Sequence, residues 1–207
     1  MSVATQPDPA VTLTPPPVAN GPRKWKWTRD ELVRCHELGM FGNQRVMLID
    51  GEVVVMSPMN EPHARAIVFV LQTLQATFGE SFTFRPQLPM DLGQTTDPEP
   101  DVIVVAGTPR SQPPTPPTTA VLVVEVADSS LAFDIGEKAS LYAAAGIADY
   151  WVLDLAHDRL YVFRDPRPEP DQRFGHSYFR MSLNGPADRV SPLAAPTASF
   201  LVSDLLP

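Results

Sequence analysis

Two acidic residues stand where acids are costly. Glu99-Pro100-Asp101 leads into the aliphatic run DVIVV (101–105), and Glu125 interrupts a second run, AVLVVEVA (120–127). A carboxylate inside an aliphatic strand is expensive to bury without a partner or a cation. Two carboxylates on neighbouring strands offer hard oxygens suited to Mg²⁺, which keeps several waters and needs few protein ligands. Taken singly, each acid also reads as a solvated strand end. Taken as a pair, Asp101 and Glu125 read as metal ligands. Lys138 follows, four residues after Asp134 and four before Tyr142, so the three share one helical face. On spacing alone, Asp134 and Lys138 read as a solvated surface ion pair worth less than about 1 kcal/mol.

The elements that must position these groups carry their own signals. In WKWTRDELVRCHELG, Thr28 and Glu31 have the spacing of a capping box, and Gly39 ends the helix. RVMLIDGEVVVM is two β-rich runs about Asp50-Gly51, a strong hairpin signal. The stretch after Asn60 predicts a long helix. Asn60 caps it, Pro62 sits in its first turn, Gly79 closes it, and Ile67, Val70, Leu71, Leu74 and Phe78 recur at helical spacing. Residues 82–92 predict an irregular strand broken by Pro86 and Pro89. The two aliphatic runs predict central strands buried on both faces. A second helix is predicted over 134–145, ended by Gly146. DYWVLDL (149–155) and RLYVFRD (159–165) predict a hairpin joined by Ala156-His157-Asp158, with an edge strand near Tyr178. This mixed order predicts an α/β sandwich around a mixed sheet.

Several segments, taken in order, resemble a known family. They are LIDGEVVVMSP with His63 shortly after, EPDVIVV, VVEVADSS, and Asp134-x3-Lys138-x3-Tyr142-x3-Gly146 followed by DYWVLD. The set resembles the Uma-type family of restriction endonucleases, a domain of unknown function within the PD-(D/E)XK restriction-endonuclease-like superfamily. It spans residues 28–165. The two-acid signature, Pro100-Asp101 and then Glu125-Val126-Ala127, is weak alone; the ordered set is more specific. The resemblance implies a restriction-endonuclease-like mixed β-sheet flanked by helices, with an N-terminal helix and β-hairpin. It implies a site of Asp101, Glu125, Lys138, Glu52 and His63. One position departs from the superfamily signature: the lysine expected two residues after Glu125 is Ala127. The resemblance implies that Lys138 takes its place. Glu52 and His63 match motif positions and would complete a metal shell or assist proton transfer. They read equally well as a surface strand residue and a helix-terminal surface residue. Asp128 reads as a turn former, His36, His157 and His176 as surface groups, and Trp25 and Trp27 as packing residues.

The activity so implied is metal-dependent endonuclease cleavage of phosphodiester bonds in DNA, with Mg²⁺ as cofactor and Mn²⁺ as a substitute. Asp101 and Glu125 would hold the metal, and Lys138 would position water or offset charge on the phosphate. Two other readings remain open. One is a non-catalytic nuclease-fold module that binds DNA or a protein partner. The other is a metal-dependent hydrolase acting on RNA or a small phosphate ester. By analogy, a duplex substrate favours a homodimer, whose two-fold axis matches two strands to cut.

Composition bounds these readings. Hydrophobic residues make up 43% of the 207, as in globular rather than disordered chains. The net charge of −8 counts against simple electrostatic binding of nucleic acid, although bound divalent metal would reverse the sign locally. Cys35 is the only cysteine, no apolar run approaches the roughly 18 residues of a membrane span, and the N-terminus does not read as a secretory signal. A cytoplasmic protein is expected. Six prolines between Pro7 and Pro22 lie in a polar segment without periodicity. Residues 1–22 are therefore expected to be a disordered tail, and 23–207 a single nuclease domain.

Overall fold

The computed structural model describes residues 22–207, so the expected tail lies, apart from Pro22, outside the described residues. Helix α1 (Arg29–Glu37) begins at the capping box read from the sequence. The Thr28 hydroxyl accepts from the Glu31 N–H, and the Glu31 carboxylate accepts from the Thr28 N–H at 2.8 Å. Strands β1 (Val46–Ile49) and β2 (Glu52–Val55) pair antiparallel in a two-stranded sheet of their own. Asp50 and Gly51 both take positive φ, 49° and 75°, as a tight primed turn requires. Gly51 is also a close approach, because a Cβ there would lie 2.6 Å from Lys26 Cβ.

Helix α2 (Glu61–Phe78) is capped by Asn60, whose side chain accepts from the His63 N–H, and it closes at Gly79 with φ 68°. Strand β3 (Phe82–Pro86) stops at its proline, so the irregular strand expected to residue 92 ends earlier. Strands β4 (Val102–Ala106) and β5 (Leu122–Ala127) follow. The chain then runs through α3 (Leu131–Phe133), a π-helical turn (Asp134–Lys138) and α4 (Ala139–Ala144). The helix predicted over 134–145 thus starts earlier and carries a π turn that its spacing did not announce. Strands β6 (Asp149–Asp154), β7 (Arg159–Pro168) and β8 (His176–Asn184) complete a six-stranded sheet of order β3-β4-β5-β6-β7-β8. Only β5 and β6 run parallel, and the helical run connects them. A short pair, β9 (Arg189–Val190) with β10 (Phe200–Leu201), lies in the weakly patterned C-terminal part.

Alternation along β4 and β5 sorts the two faces of the large sheet. Val102, Val104, Leu122, Val124 and Val126 pack with α2 residues such as Val70 and Leu74. Ile103, Val123 and Ala127 pack with Ala139, Tyr142 and Ala143 of α4. Each face is covered by a helix, which is why both strands read as unbroken aliphatic runs. Truncating a fully buried residue such as Leu74 to alanine would cost about 2–5 kcal/mol. The acids of interest belong by parity to the α4 face.

Candidate active site

Asp101 and Glu125 face each other across two strands. The β4–β5 register pairs Val102 with Val124. One residue further, Asp101 stands opposite Glu125 on the same face. Asp101 Oδ2 accepts the Val126 N–H at 2.8 Å, which fixes its carboxyl against β5. Asp101 Oδ1 meets His63 Nε2 at 2.9 Å, and Gln87 Nε2 lies 3.5 Å from the same oxygen. His63 reaches it from the first turn of α2, just past the Asn60 cap. Asn60 in turn donates from Nδ2 to Asp128 at 2.6 Å. Asp128 is thus tied to the helix cap as well as forming the turn after β5.

Lys138 sits among carboxylates. Its Nζ is 3.0 Å from Glu125 Oε1 and 3.0 Å from Asp134 Oδ1, and its side chain is 5% exposed. Asp134 and Lys138 are both buried, not solvated as their spacing alone suggests, because the helical run packs on the β5 face. Tyr142 donates to Glu125 Oε1 at 2.8 Å, so that oxygen carries two donors while Oε2 makes no hydrogen bond among the described residues. Ser130 donates to Asp134 Oδ2, and Tyr150 donates to the Asp134 carbonyl at 2.8 Å. The π turn is where Asp134 and Lys138 both point inward; such bulges are frequent at functional sites.

Electrostatics follow from this packing. Burial pushes Glu125 up to about 8; Lys138 opposes the shift, and the charges of Asp134 and Asp101 add to it. One lysine cannot offset two buried carboxylates. Lys138 is penalised by burial, but Glu125 and Asp134 outweigh that and hold it above its ordinary value. Burial, reinforced by Glu125, keeps the Tyr142 phenol protonated. Burial lowers His63, yet its hydrogen bond to Asp101 and the charges of Asp101, Glu125 and Asp128 leave it raised overall.

These groups line one cavity of about 180 Å³. Asp101, Glu125, Asp134, Lys138, His63 and Gln87 line it, together with Met47 and Val54 of the hairpin. Glu52 is not brought there. It starts β2 with its side chain 58% exposed and pairs with Arg173 at 2.6 Å. Gln87, Ser130 and Asp134 join the site without having been singled out for it. Gln87 gave no signal, being a polar residue between two prolines. Asp134 did carry one, its four-residue offset from Lys138. Among the other candidates, His157 pairs with Asp154 at 2.8 Å, His36 packs on Phe41, Trp27 packs on the Leu32–Val46–Leu48 cluster, and Trp25 is exposed.

The fold is mixed α/β: a six-stranded mixed sheet flanked by helices, entered through an N-terminal helix and hairpin. The chain belongs to the Uma2 family, described as "Putative restriction endonuclease", whose profile matches residues 31–185. A crystal structure described as "a putative nuclease" from Anabaena variabilis ATCC 29413 is similar, with a TM-score of 0.59 and 14% identity over 77% of this chain and 88% of that one. At that identity the likeness speaks for the fold alone. No curated protein matches the chain. Among the described residues, no helix is long and apolar enough to cross a membrane.

Proposed function

We propose that this chain is a metal-dependent endonuclease that hydrolyses phosphodiester bonds in DNA. The observation that carries the reading is Lys138, held 3.0 Å from both Glu125 and Asp134 in a cavity that Asp101 also lines. An ammonium fixed before the reaction is suited to charge that grows on a phosphate, because nothing must reorganise to meet it. The family's description supports a nucleic-acid substrate.

The residues fit a hard divalent cation. Asp101 and Glu125 supply carboxylate oxygens from facing strand positions, and Glu125 Oε2 makes no hydrogen bond among the described residues. Three carboxylates, Asp101, Glu125 and Asp134, crowd about the single ammonium of Lys138, and a bound cation would offset that crowding. Asp101 and Glu125 would hold Mg²⁺ or Mn²⁺. When bound, the metal supplies Lewis-acid stabilisation and water activation. The chain's own groups do the rest. Lys138 offsets phosphate charge, with Asp134 and Ser130 keeping its ammonium in place. The Val126 N–H and His63 orient Asp101. Tyr142 holds Glu125 Oε1. Glu52, paired with Arg173 outside the cavity, takes no part.

One observation favours a non-catalytic binding module instead: among the described residues no group of three or more His, Cys, Asp or Glu side chains is arranged to hold a metal ion. Incubation with plasmid DNA and with labelled RNA, in Mg²⁺, Mn²⁺ and EDTA, separates the readings. Nicked or linear plasmid only with metal, and intact RNA, is the expected result. Intact plasmid in every metal would overturn it, and cleaved RNA with intact plasmid would reassign the substrate.

A further inference from the structure

We propose that Arg85 is a phosphate-contact residue that binds a backbone phosphate of the nucleic-acid substrate beside the Asp101–Glu125 pair. The inference rests on the nuclease reading and deepens it, since a chain of net charge −8 must hold a polyanion with few cations.

Arg45, which lines the cavity, is already committed to a carboxylate, as are Arg29 and Arg173 elsewhere. Arg45 pairs with Glu99 at 2.9 Å, Arg29 with Asp91 at 2.6 Å, and Arg173 with Glu52 and Glu137 at 2.6 and 2.7 Å. Arg85 makes no ion pair and no hydrogen bond among the described residues, and its Nε is enclosed without a partner. Its two terminal nitrogens are also unpaired among the described residues but are not enclosed, so they are the donors a phosphate oxygen can reach.

Register sets where Arg85 stands. It pairs with Ile103 across β3 and β4, so the two share a face. Two residues on, the Gln87 N–H donates to the Asp101 carbonyl at 3.1 Å. Gln87, Asp101 and Glu125 therefore form one row across the sheet, and Arg85, Ile103 and Val123 form the next. Diagonal neighbours across antiparallel strands lie about 7–8 Å apart, within reach of an arginine side chain. Arg85 is thus the diagonal neighbour of Asp101 on the α4 face. Its planar fork matches two phosphate oxygens, as a lysine's point charge would not.

The test is an anisotropy titration of labelled duplex DNA onto the full chain in EDTA, where neither metal nor cleavage enters. Wild type, Arg85→Ala, Arg85→Lys and Arg110→Ala are compared over a salt series, with Arg85→Gln replacing the alanine variant if that one fails to fold. Arg110 serves as a control because it lies in the turn Pro109–Ser111, at the other end of β4 from Asp101. Arg85→Ala should weaken binding about tenfold, the scale of a charged hydrogen bond. It should also flatten the slope of log affinity against log salt by about 0.9, one phosphate contact. Arg85→Lys should restore the slope but only part of the affinity, and Arg110→Ala should match wild type. If wild type binds and Arg85→Ala binds equally well with an unchanged slope, the assignment of Arg85 is wrong while the nuclease reading stands. If wild type shows no salt-dependent binding of DNA in EDTA, the series is repeated with Ca²⁺ in its place, and absence of binding there too overturns the DNA reading and Arg85 with it.

Discussion

Lys138 Nζ lies 3.0 Å from Glu125 Oε1, a contact made between a helix and a central strand with both side chains buried. The pair joins what a linear reading keeps apart, and its removal has two separable consequences. Lys138→Ala leaves Glu125 and Asp134 buried without their cation, and breaking a buried pair costs about 3–5 kcal/mol. Loss of a preorganised charge from a phosphate site costs about a hundredfold or more in rate. Single-turnover cleavage of duplex DNA, run well below the variant's melting temperature, should show that drop with metal affinity little changed. A rate within a few-fold of wild type would make the buried pair purely structural.

Tyr142→Phe is the milder probe of the same oxygen. The ring stays packed against Tyr150, 4.9 Å between centroids, and only the donor to Glu125 Oε1 goes. A loss of about 1–2 kcal/mol in stability is expected, with the fold intact. Chemical denaturation measures it. No loss would mean that water replaces the phenol.

Stability of the metal-free protein should fall as pH rises. Folded Glu125 is raised from 4.5 to about 8. Between those values the folded state keeps a proton that the unfolded state has released, so each step up in pH favours unfolding. His63, also raised, acts in the same sense as pH passes its folded value. Comparing wild type with Glu125→Gln isolates Glu125. In EDTA, wild type should melt at lower temperature at about pH 8 than at about pH 5, and the glutamine variant should be flatter. Equal slopes in the two proteins would show that Glu125 is ionised across the whole range.

Glu52→Ala should leave cleavage unchanged and stability within about 1 kcal/mol, since Glu52 makes only an exposed ion pair with Arg173. A tenfold loss of rate would mean that the hairpin closes onto the cavity during turnover.

These cases show where sequence reading reaches and where it stops. The Thr28 capping box, the Asp50-Gly51 turn, the Asn60 and Gly79 caps and the two aliphatic strands are local signals, and each lies in the fold where its residues announce it. The Asp101–Glu125 juxtaposition follows from strand register, which the sequence marks only through the cost of acids in aliphatic runs. Burial of Lys138 was not legible from spacing, and only the family resemblance pointed it toward the acid pair. Four-residue spacing from Asp134 is the pattern of a surface ion pair, and only the docking of the helical run on β5 turns it inward. The π turn has no composition signal. Gln87 and Arg85 enter through pairing with β4, a tertiary relation between segments that carry no motif. Glu52 shows the reverse: matching a motif position does not bring a side chain to the cavity.

The central claim is that Asp101 and Glu125 together hold a catalytic divalent metal. Calorimetric titration of Mn²⁺ onto wild type, Asp101→Asn and Glu125→Gln tests it most directly. Both substitutions keep side-chain shape, and neither leaves a new buried charge. The account predicts a saturable site in wild type that each substitution abolishes or weakens by about a hundredfold, the scale of about 2.7 kcal/mol. Equal Mn²⁺ affinity in all three proteins would contradict it.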